Sequence, residues 1–245
     1  MENAAHPGKE RPLTFLSDGL RLQGILHLPE QDHPPLVVGS HGLYSSGDSP
    51  KQIALARGCT RMGIAYFRFD HRGCHRSEGR FEEVTTLAGR RDDLVNAAAF
   101  LRTQFDPGDR LGLFGSSFGG TACLAAAGLL NPPRMVTLAA PVDSRSILAA
   151  TQNRKPALAP VFLQDAFQFD LRKDLHRLSG VLVVHGGNDE VIAAQHARVI
   201  YDGVGSPKKS MIMPGGDHRL SRRDHQQAFL EAALAWFKPL TERVD

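Results

Sequence analysis

Three side chains in this sequence have the types and neighbours that nucleophilic chemistry requires: Ser117, Asp189 and His218. Ser117 stands at the centre of Gly115-Ser116-Ser117-Phe118-Gly119. Glycines two residues to either side let a strand and a helix pack closely around a sharp turn and leave the serine hydroxyl exposed at its apex. Ser116 lacks glycines at those offsets, so the spacing selects Ser117. A serine hydroxyl is a poor nucleophile near neutral pH. It needs a base within hydrogen-bond reach, and the base needs a carboxylate to orient it. His218, in the loop Pro214-Gly215-Gly216-Asp217-His218, is the candidate base, whereas His225 falls inside a helical pattern. For the acid, the glycine-rich turn Gly186-Gly187-Asn188-Asp189 favours Asp189 over Asp143 and Glu190.

The five-residue pattern alone arises by accident in about one chain in ten of this length and glycine content, so its context has to carry the argument. Leu111, Leu113 and Phe114 form a short apolar run that ends in small residues, and an alanine-rich helical pattern follows over Thr121 to Leu130. Strand, sharp turn and helix is the setting in which such a serine is a nucleophile. An oxyanion formed at Ser117 needs two preorganised N–H donors. Phe118, the next residue, lies at a helix N-terminus, where the N–H and the helix dipole both suit negative charge. The second donor is expected in the loop Ser40-His41-Gly42-Leu43-Tyr44, with Gly42 allowing the turn that aims the Leu43 N–H inward; His41 is expected to fix that loop by a hydrogen bond.

The elements that must position these groups follow from hydrophobic period and turn signals. Leu13 to Ser17 and Leu20 to Leu28 alternate around Asp18-Gly19 and read as an antiparallel hairpin. Pro34 to Ser40 and Gly63 to Asp70 are short continuous apolar runs, the mark of strands covered on both faces. Ser49 to Met62 reads as a helix with Ser49 as cap and Pro50 at its first position, and Thr85 to Phe105 as a long amphipathic helix stopped by Asp106-Pro107-Gly108. Strands at Met135 to Ala139, Val181 to His185 and Ser210 to Met213, with helices at Ile192 to Tyr201 and Ser221 to Phe237, complete the alternation. The expected fold is α/β: one domain with a mostly parallel sheet of about eight strands and helices on both faces. In such a sheet the carboxyl ends of the strands lie along one edge, where Ser117, Asp189 and His218 converge. Residues 143–178 interrupt the rhythm with no clear strand and carry Pro156, Pro160, Phe162, Phe167 and Phe169. They read as a small cap over the site plus a helix that returns the chain to the sheet.

Composition excludes several classes. The net charge of +3 is spread along the chain, so nucleic acid is not an expected partner. No apolar run approaches the ~20 residues of a membrane span, and Met1 to Pro12 has no apolar core of the secretory kind. Three cysteines, Cys59, Cys74 and Cys123, show neither even pairing nor metal spacing, which points to a reduced, cytoplasmic setting; Cys74, in a polar loop, is a candidate reactive thiol. No phosphate-cradling motif and no metal ligand spacing occurs, so no cofactor is implied. The expected partner is a small-molecule ester, and a homodimer is compatible with the sequence.

With these residues in place the chain resembles an α/β-hydrolase. His41-Gly42, Asp70-His71-Arg72-Gly73 with Ser77 after it, Gly115 to Gly119, Gly186 to Asp189 and Gly215 to His218 match the landmarks of that superfamily in order, from about Leu13 to Leu240. The likeness is to small-cap esterases of the feruloyl and cinnamoyl type, and more loosely to dienelactone hydrolase-like and serine aminopeptidase-like proteins. It implies hydrolysis of carboxylic esters through an acyl-enzyme on Ser117. His218 is then base and acid, Asp189 its orienter, and Leu43 and Phe118 the oxyanion donors. A serine at position 117 does not support the cysteine chemistry of dienelactone hydrolases, and one glycine after His41 separates the chain from the hormone-sensitive-lipase type. Asp70 and Arg72 are expected to brace loops. Amide or thioester cleavage by the same groups is the rival activity, and a non-catalytic binding protein on the same fold is the rival class.

Overall fold

The structure is a computed structural model that describes residues 9–104, 107, 110–151 and 168–242. Its strands are β1 (Lys9–Ser17), β2 (Leu20–Leu28), β3 (Leu36–Ser40), β4 (Ala65–Phe69), β5 (Leu111–Ser116), β6 (Arg134–Leu138), β7 (Val181–Gly186) and β8 (Lys208–Met213). Its helices are α1 (Pro50–Arg61), α2 (Phe81–Val84), α3 (Leu87–Gln104), α4 (Phe118–Leu130), α5 (Ser144–Thr151), α6 (Gln195–Gly203) and α7 (Arg223–Phe237). One sheet contains all eight strands in the order β1-β2-β4-β3-β5-β6-β7-β8. β2 pairs antiparallel with both neighbours, and every other pairing is parallel.

The β1–β2 turn is made by Asp18 and Gly19, both at positive φ, 48° and 82°, as a two-residue hairpin requires. From β3 the chain crosses to β4 on one side and then to β5 on the other, so the loops after β3 and β5 diverge and leave a crevice at the carboxyl ends of the strands. The central strands β3, β4 and β7 are buried along their whole length. Successive side chains point to opposite faces. Val38, Leu113 and Val183 join α3, α4 and α6 in one core, whereas Val37, Phe114 and Val184 join α1 and α7 in the other.

Several boundaries differ from the sequence reading for physical reasons. Ser49 occupies the N-cap position of α1, but its side chain makes no capping bond, and Pro50 follows at the first turn. Thr85 is extended (ψ 99°) and ends the short helix α2, so the long helix starts at Leu87. α6 begins at Gln195 rather than Ile192, and the N–H groups of Val191 and Ile192 bond the Asp189 carboxylate in the turn before it. Within residues 143–178 the structure describes α5 and a 3-10 turn at Leu175–Arg177; residues 152–167, with Pro156, Pro160, Phe162 and Phe167, lie outside the described residues, as do Asp106 and Gly108. The two ends of this excursion meet: Asp143 bridges Asp170, Ser144 N–H donates to Phe169 O, and Leu171 N–H donates to Val142 O.

The crossing of β3, β5 and α4 leaves no room for side chains. A Cβ on Gly115 would run into the carbonyl of Gly119, and one on Gly119 into the carbonyls of Ser40 and His41. Gly128, exposed on the outer side of the same helix, faces open space. Gly119→Ala is therefore expected to lower unfolding stability by about 3 kcal/mol through backbone overpacking. Gly128→Ala should raise it by about 0.5–1 kcal/mol. Urea denaturation of the pair checks this, and equal effects of one sign would contradict it.

Candidate active site

Ser117 sits where β5 breaks into α4, with φ 55° and ψ −126°, a conformation that non-glycine residues rarely adopt. Its N–H donates to Leu138 O at 2.7 Å, and its carbonyl accepts from Gly120 N at 2.8 Å and Thr121 N at 3.2 Å. The turn is thus pinned to β6 on one side and to the first helical turn on the other, and the hydroxyl is left half-buried at the edge of the sheet.

His218 follows β8 and Asp189 follows β7, and both reach Ser117. Ser117 Oγ is 3.2 Å from His218 Nε2, and His218 Nδ1 is 2.8 Å from Asp189 Oδ2. A carboxylate only accepts, so the imidazole proton lies on Nδ1 and Nε2 is left to accept from the serine. Asp189 Oδ1 accepts from the N–H groups of Val191 and Ile192, both at 2.8 Å. A further histidine, His185 at the end of β7, places Nε2 at 3.0 Å from Asp189 Oδ2 and 2.9 Å from Ile192 O. Both are acceptors, so the His185 proton is on Nε2, while its buried Nδ1 has no partner among the described residues. Burial by itself would raise the Asp189 carboxyl. Hydrogen bonds from His185, His218 and the Ile192 N–H outweigh it and hold the group well below the usual carboxylate range. Asp189 is therefore a fixed negative charge beside the imidazole. Sequence reasoning passed over His185; the signal was a polar residue closing an otherwise apolar strand.

The remaining candidates separate cleanly. Asp143 bonds Arg145 while the His218 imidazole bonds Asp189, and Glu190 accepts the His218 backbone N–H at 3.1 Å. Asp217 caps the turn at Ser221, and His225 is buried in α7. Ser117, Phe118, His218, Leu43 and Gly42 all line one cleft of about 320 Å³, together with Lys51, Arg219, Glu190 and Ile147 from α5. The residues expected to offer oxyanion donors thus stand around the same opening as the serine. His41 behaves as expected. Its Nε2 accepts from His71 N at 3.1 Å, so its Nδ1 carries the proton donated to Gly42 O at 2.7 Å.

Behind the cleft lies a sealed polar network. Ser40 Oγ is 2.8 Å from His71 Nε2, and His71 Nδ1 is 3.1 Å from Asp93 Oδ2, a second serine, histidine and aspartate array. All three side chains are wholly buried and none lines the cleft. Arg72 completes the tie: its backbone N–H and Nε donate to Asp93, and Nη2 reaches Ser17 and Asp18. Asp70 accepts from Gly47 N, His75 and Arg76. Both Asp70 and Arg72 therefore brace loops. Cys74 is buried, contrary to a reactive thiol: burial raises its pKa, so the thiolate is disfavoured at neutral pH. Among the described residues no group of histidine, cysteine, aspartate or glutamate is arranged to hold a metal ion. Nor is any helix among them long and apolar enough to cross a membrane.

Fold and site together define a serine hydrolase of the α/β-hydrolase class. The family model described as Serine aminopeptidase, S33, matches residues 31–168, more than half of the chain, and the chain belongs to that family. The uncharacterized protein YfhR of Escherichia coli O157:H7 is 29% identical over 209 residues, 82% of this chain and 70% of that protein. The mitochondrial palmitoyl-protein thioesterase ABHD10 of Mus musculus is 24% identical over 238 residues, 86% of this chain and 77% of its own length. Est1E from Butyrivibrio proteoclasticus with ferulic acid bound superposes with a TM-score of 0.79 at 18% identity, covering 91% of this chain and 97% of Est1E, a likeness of fold.

Three buried histidines, His27, His41 and His71, are held in the neutral form, and burial together with the charge of Arg90 holds His41 well below its usual range. Burial and the charge of Arg68 hold His27 at about 4. Burial outweighs the Asp93 hydrogen bond and holds His71 at about 4. The unfolded chain takes up these protons near pH 6.5, while the folded chain resists until about 4. Their stabilisation is therefore present above pH 6.5 and lost as pH falls toward 4. Unfolding stability is expected to drop by at least about 3 kcal/mol between pH 7 and pH 5. Urea titrations across that range check it, and a flat profile would contradict neutral burial.

Proposed function

We propose that this protein cleaves carboxylic esters of small to medium size through an acyl-enzyme on Ser117. The observation that carries the reading is the unbroken line of hydrogen bonds from Ser117 Oγ through His218 to Asp189, opening on a cleft. In acylation Ser117 Oγ bonds to the ester carbonyl carbon and its proton passes to His218 Nε2. The oxyanion is met by the N–H groups of Leu43 and Phe118. His218 then returns the proton to the departing alcohol as the carbon–oxygen bond breaks. Water repeats the sequence on the acyl-enzyme, with His218 again as base and then acid. Asp189 holds the imidazole by Nδ1 and balances its transient charge. Ile147 of α5 lines the cleft, and the clasped ends of residues 143–178 support reading that segment as a small cap that shapes the acyl site. Three unpaired cysteines, all buried, suit a reduced cytoplasmic setting.

A second reading, thioester cleavage by the same groups, is favoured by the likeness to the thioesterase ABHD10 over most of the chain. Both readings share one chemistry, so the test pairs p-nitrophenyl esters with acyl-thioesters of the same acyl group. Ser117→Ala is expected to lower turnover about 10⁴-fold or more, and Asp189→Asn by about 10⁴-fold. A fluorophosphonate probe should label the wild type and Ser40→Ala, whose serine is sealed in the core, but not Ser117→Ala. Ester turnover unchanged by Ser117→Ala would overturn the reading. Faster turnover of the matched thioester would assign the second.

A further inference from the structure

Arg90, on the first turn of α3, is wholly buried and heads the fully buried side chains by size. Its Nη1 donates to the carbonyls of His41 at 3.0 Å and Gly42 at 3.3 Å; its Nη2 donates to Leu43 O at 3.1 Å and Cys74 Sγ at 3.4 Å. Its guanidinium carbon lies 5.1 Å over the ring of Phe118. Among the described residues no carboxylate stands in ion-pairing range of it. Asp93, whose charge it feels, is bonded instead to Ser17, His71 and Arg72. Arg90 lines no part of the cleft, so it touches no substrate.

One buried cation therefore contacts both residues assigned to the oxyanion, Leu43 and Phe118. Its effect on Leu43 follows from peptide geometry. In a planar trans peptide the C=O of one residue and the N–H of the next point in opposite directions. Gly42 O is held by Arg90 Nη1 and His41 Nδ1, so the Leu43 N–H is turned the other way, away from Arg90. Leu43 O is held as well, which fixes the following peptide and removes the freedom of the loop to rotate. A charge with no counter-ion in a dry interior also acts over several ångströms, because screening there is weak.

We propose that Arg90 is a positioning residue for hydrolysis. Its fork locks the Gly42–Leu43 peptide with the Leu43 N–H toward the cleft, and its unneutralised charge favours the oxyanion that forms there. This rests on the reading above, with Ser117 as nucleophile and Leu43 and Phe118 as donors. Arg90→Met removes fork and charge, Arg90→Gln keeps donors without charge, and Arg90→Lys keeps charge without the fork.

The experiment measures kcat and KM on a p-nitrophenyl ester, per site titrated with fluorophosphonate. It adds inhibition by a trifluoromethyl ketone, which Ser117 converts to a tetrahedral oxyanion, and by the product carboxylate, which forms none. Arg90→Met is expected to lose about 10²-fold in kcat, the cost of one misplaced oxyanion donor, with KM changed by less than about threefold. Ketone affinity should fall in step with kcat/KM while product affinity holds, a pattern that mere loosening of the fold does not produce. Arg90→Lys and Arg90→Gln should each recover about tenfold relative to Arg90→Met, and they carry the test if Arg90→Met fails to fold. A kcat per titrated site within about threefold of wild type in the folded variants, or equal weakening of ketone and product, would overturn the proposal. A wild type that neither labels nor turns over ester or thioester would overturn the hydrolase reading instead.

Discussion

The structure depends on one close approach. β5 and α4 meet at Ser117, with the helix start pressed against the end of β3 so tightly that Gly115 and Gly119 have carbonyl oxygens where a Cβ would stand. That contact holds the serine backbone in a conformation that costs on the order of 1–3 kcal/mol in isolation. The bond from Ser117 N–H to Leu138 O ties the strained turn into the sheet. Once the turn is set, the positions of the other groups follow from topology. The loop after β3 passes beside it because β3 is the neighbour of β5, and the loops after β7 and β8 bring Asp189 and His218 to the same edge.

Around this turn the protein keeps charged groups where an apolar core would be simpler. α3 packs Leu94, Ala97, Ala98 and Leu101 against the sheet, yet the same helix sends Arg90 and Asp93 inward, fully buried. Burying ions is costly unless their bonds are made. Asp93 has its full complement from Ser17, His71 and Arg72, whereas Arg90 bonds only backbone carbonyls and a thiol through its two terminal nitrogens, and its buried Nε has no partner among the described residues. The two residues hold the loops after β3 and β4 from behind. Rigidity at the cleft is thus supplied by a polar layer one shell deeper than the reacting groups.

Much of this was legible in the residue order. Continuous apolar runs located the strands, and glycine-flanked strand ends located Ser117, Asp189 and His218. The order of strands across the sheet was not legible, because hydrophobic runs do not say which neighbour a strand pairs with. Boundaries failed where a turn replaced the first residues of a periodic run: Val191 and Ile192 belong to the turn that bonds Asp189, and α6 starts only at Gln195. The supporting residues were missed. Arg90 and Asp93 are the two ends of a run of four charged residues, Arg90-Arg91-Asp92-Asp93, which reads as a solvated face, and His185 is a single polar position that closes an apolar strand. Read the other way, a charged residue on the buried stripe of an amphipathic helix, three positions after Leu87 and four before Leu94, was itself the signal.

The two serine, histidine and aspartate arrays bear on how sites are recognised in other chains. Ser40, His71 and Asp93 reproduce the connectivity of Ser117, His218 and Asp189, with a shorter separation between serine and imidazole. A geometric template built from residue types and interatomic distances would return the sealed set as readily as the open one. What distinguishes them is a path for a molecule to arrive, together with backbone donors facing the same opening. Template searches across this superfamily therefore gain their discrimination from solvent access and main-chain geometry more than from tightening the side-chain distances.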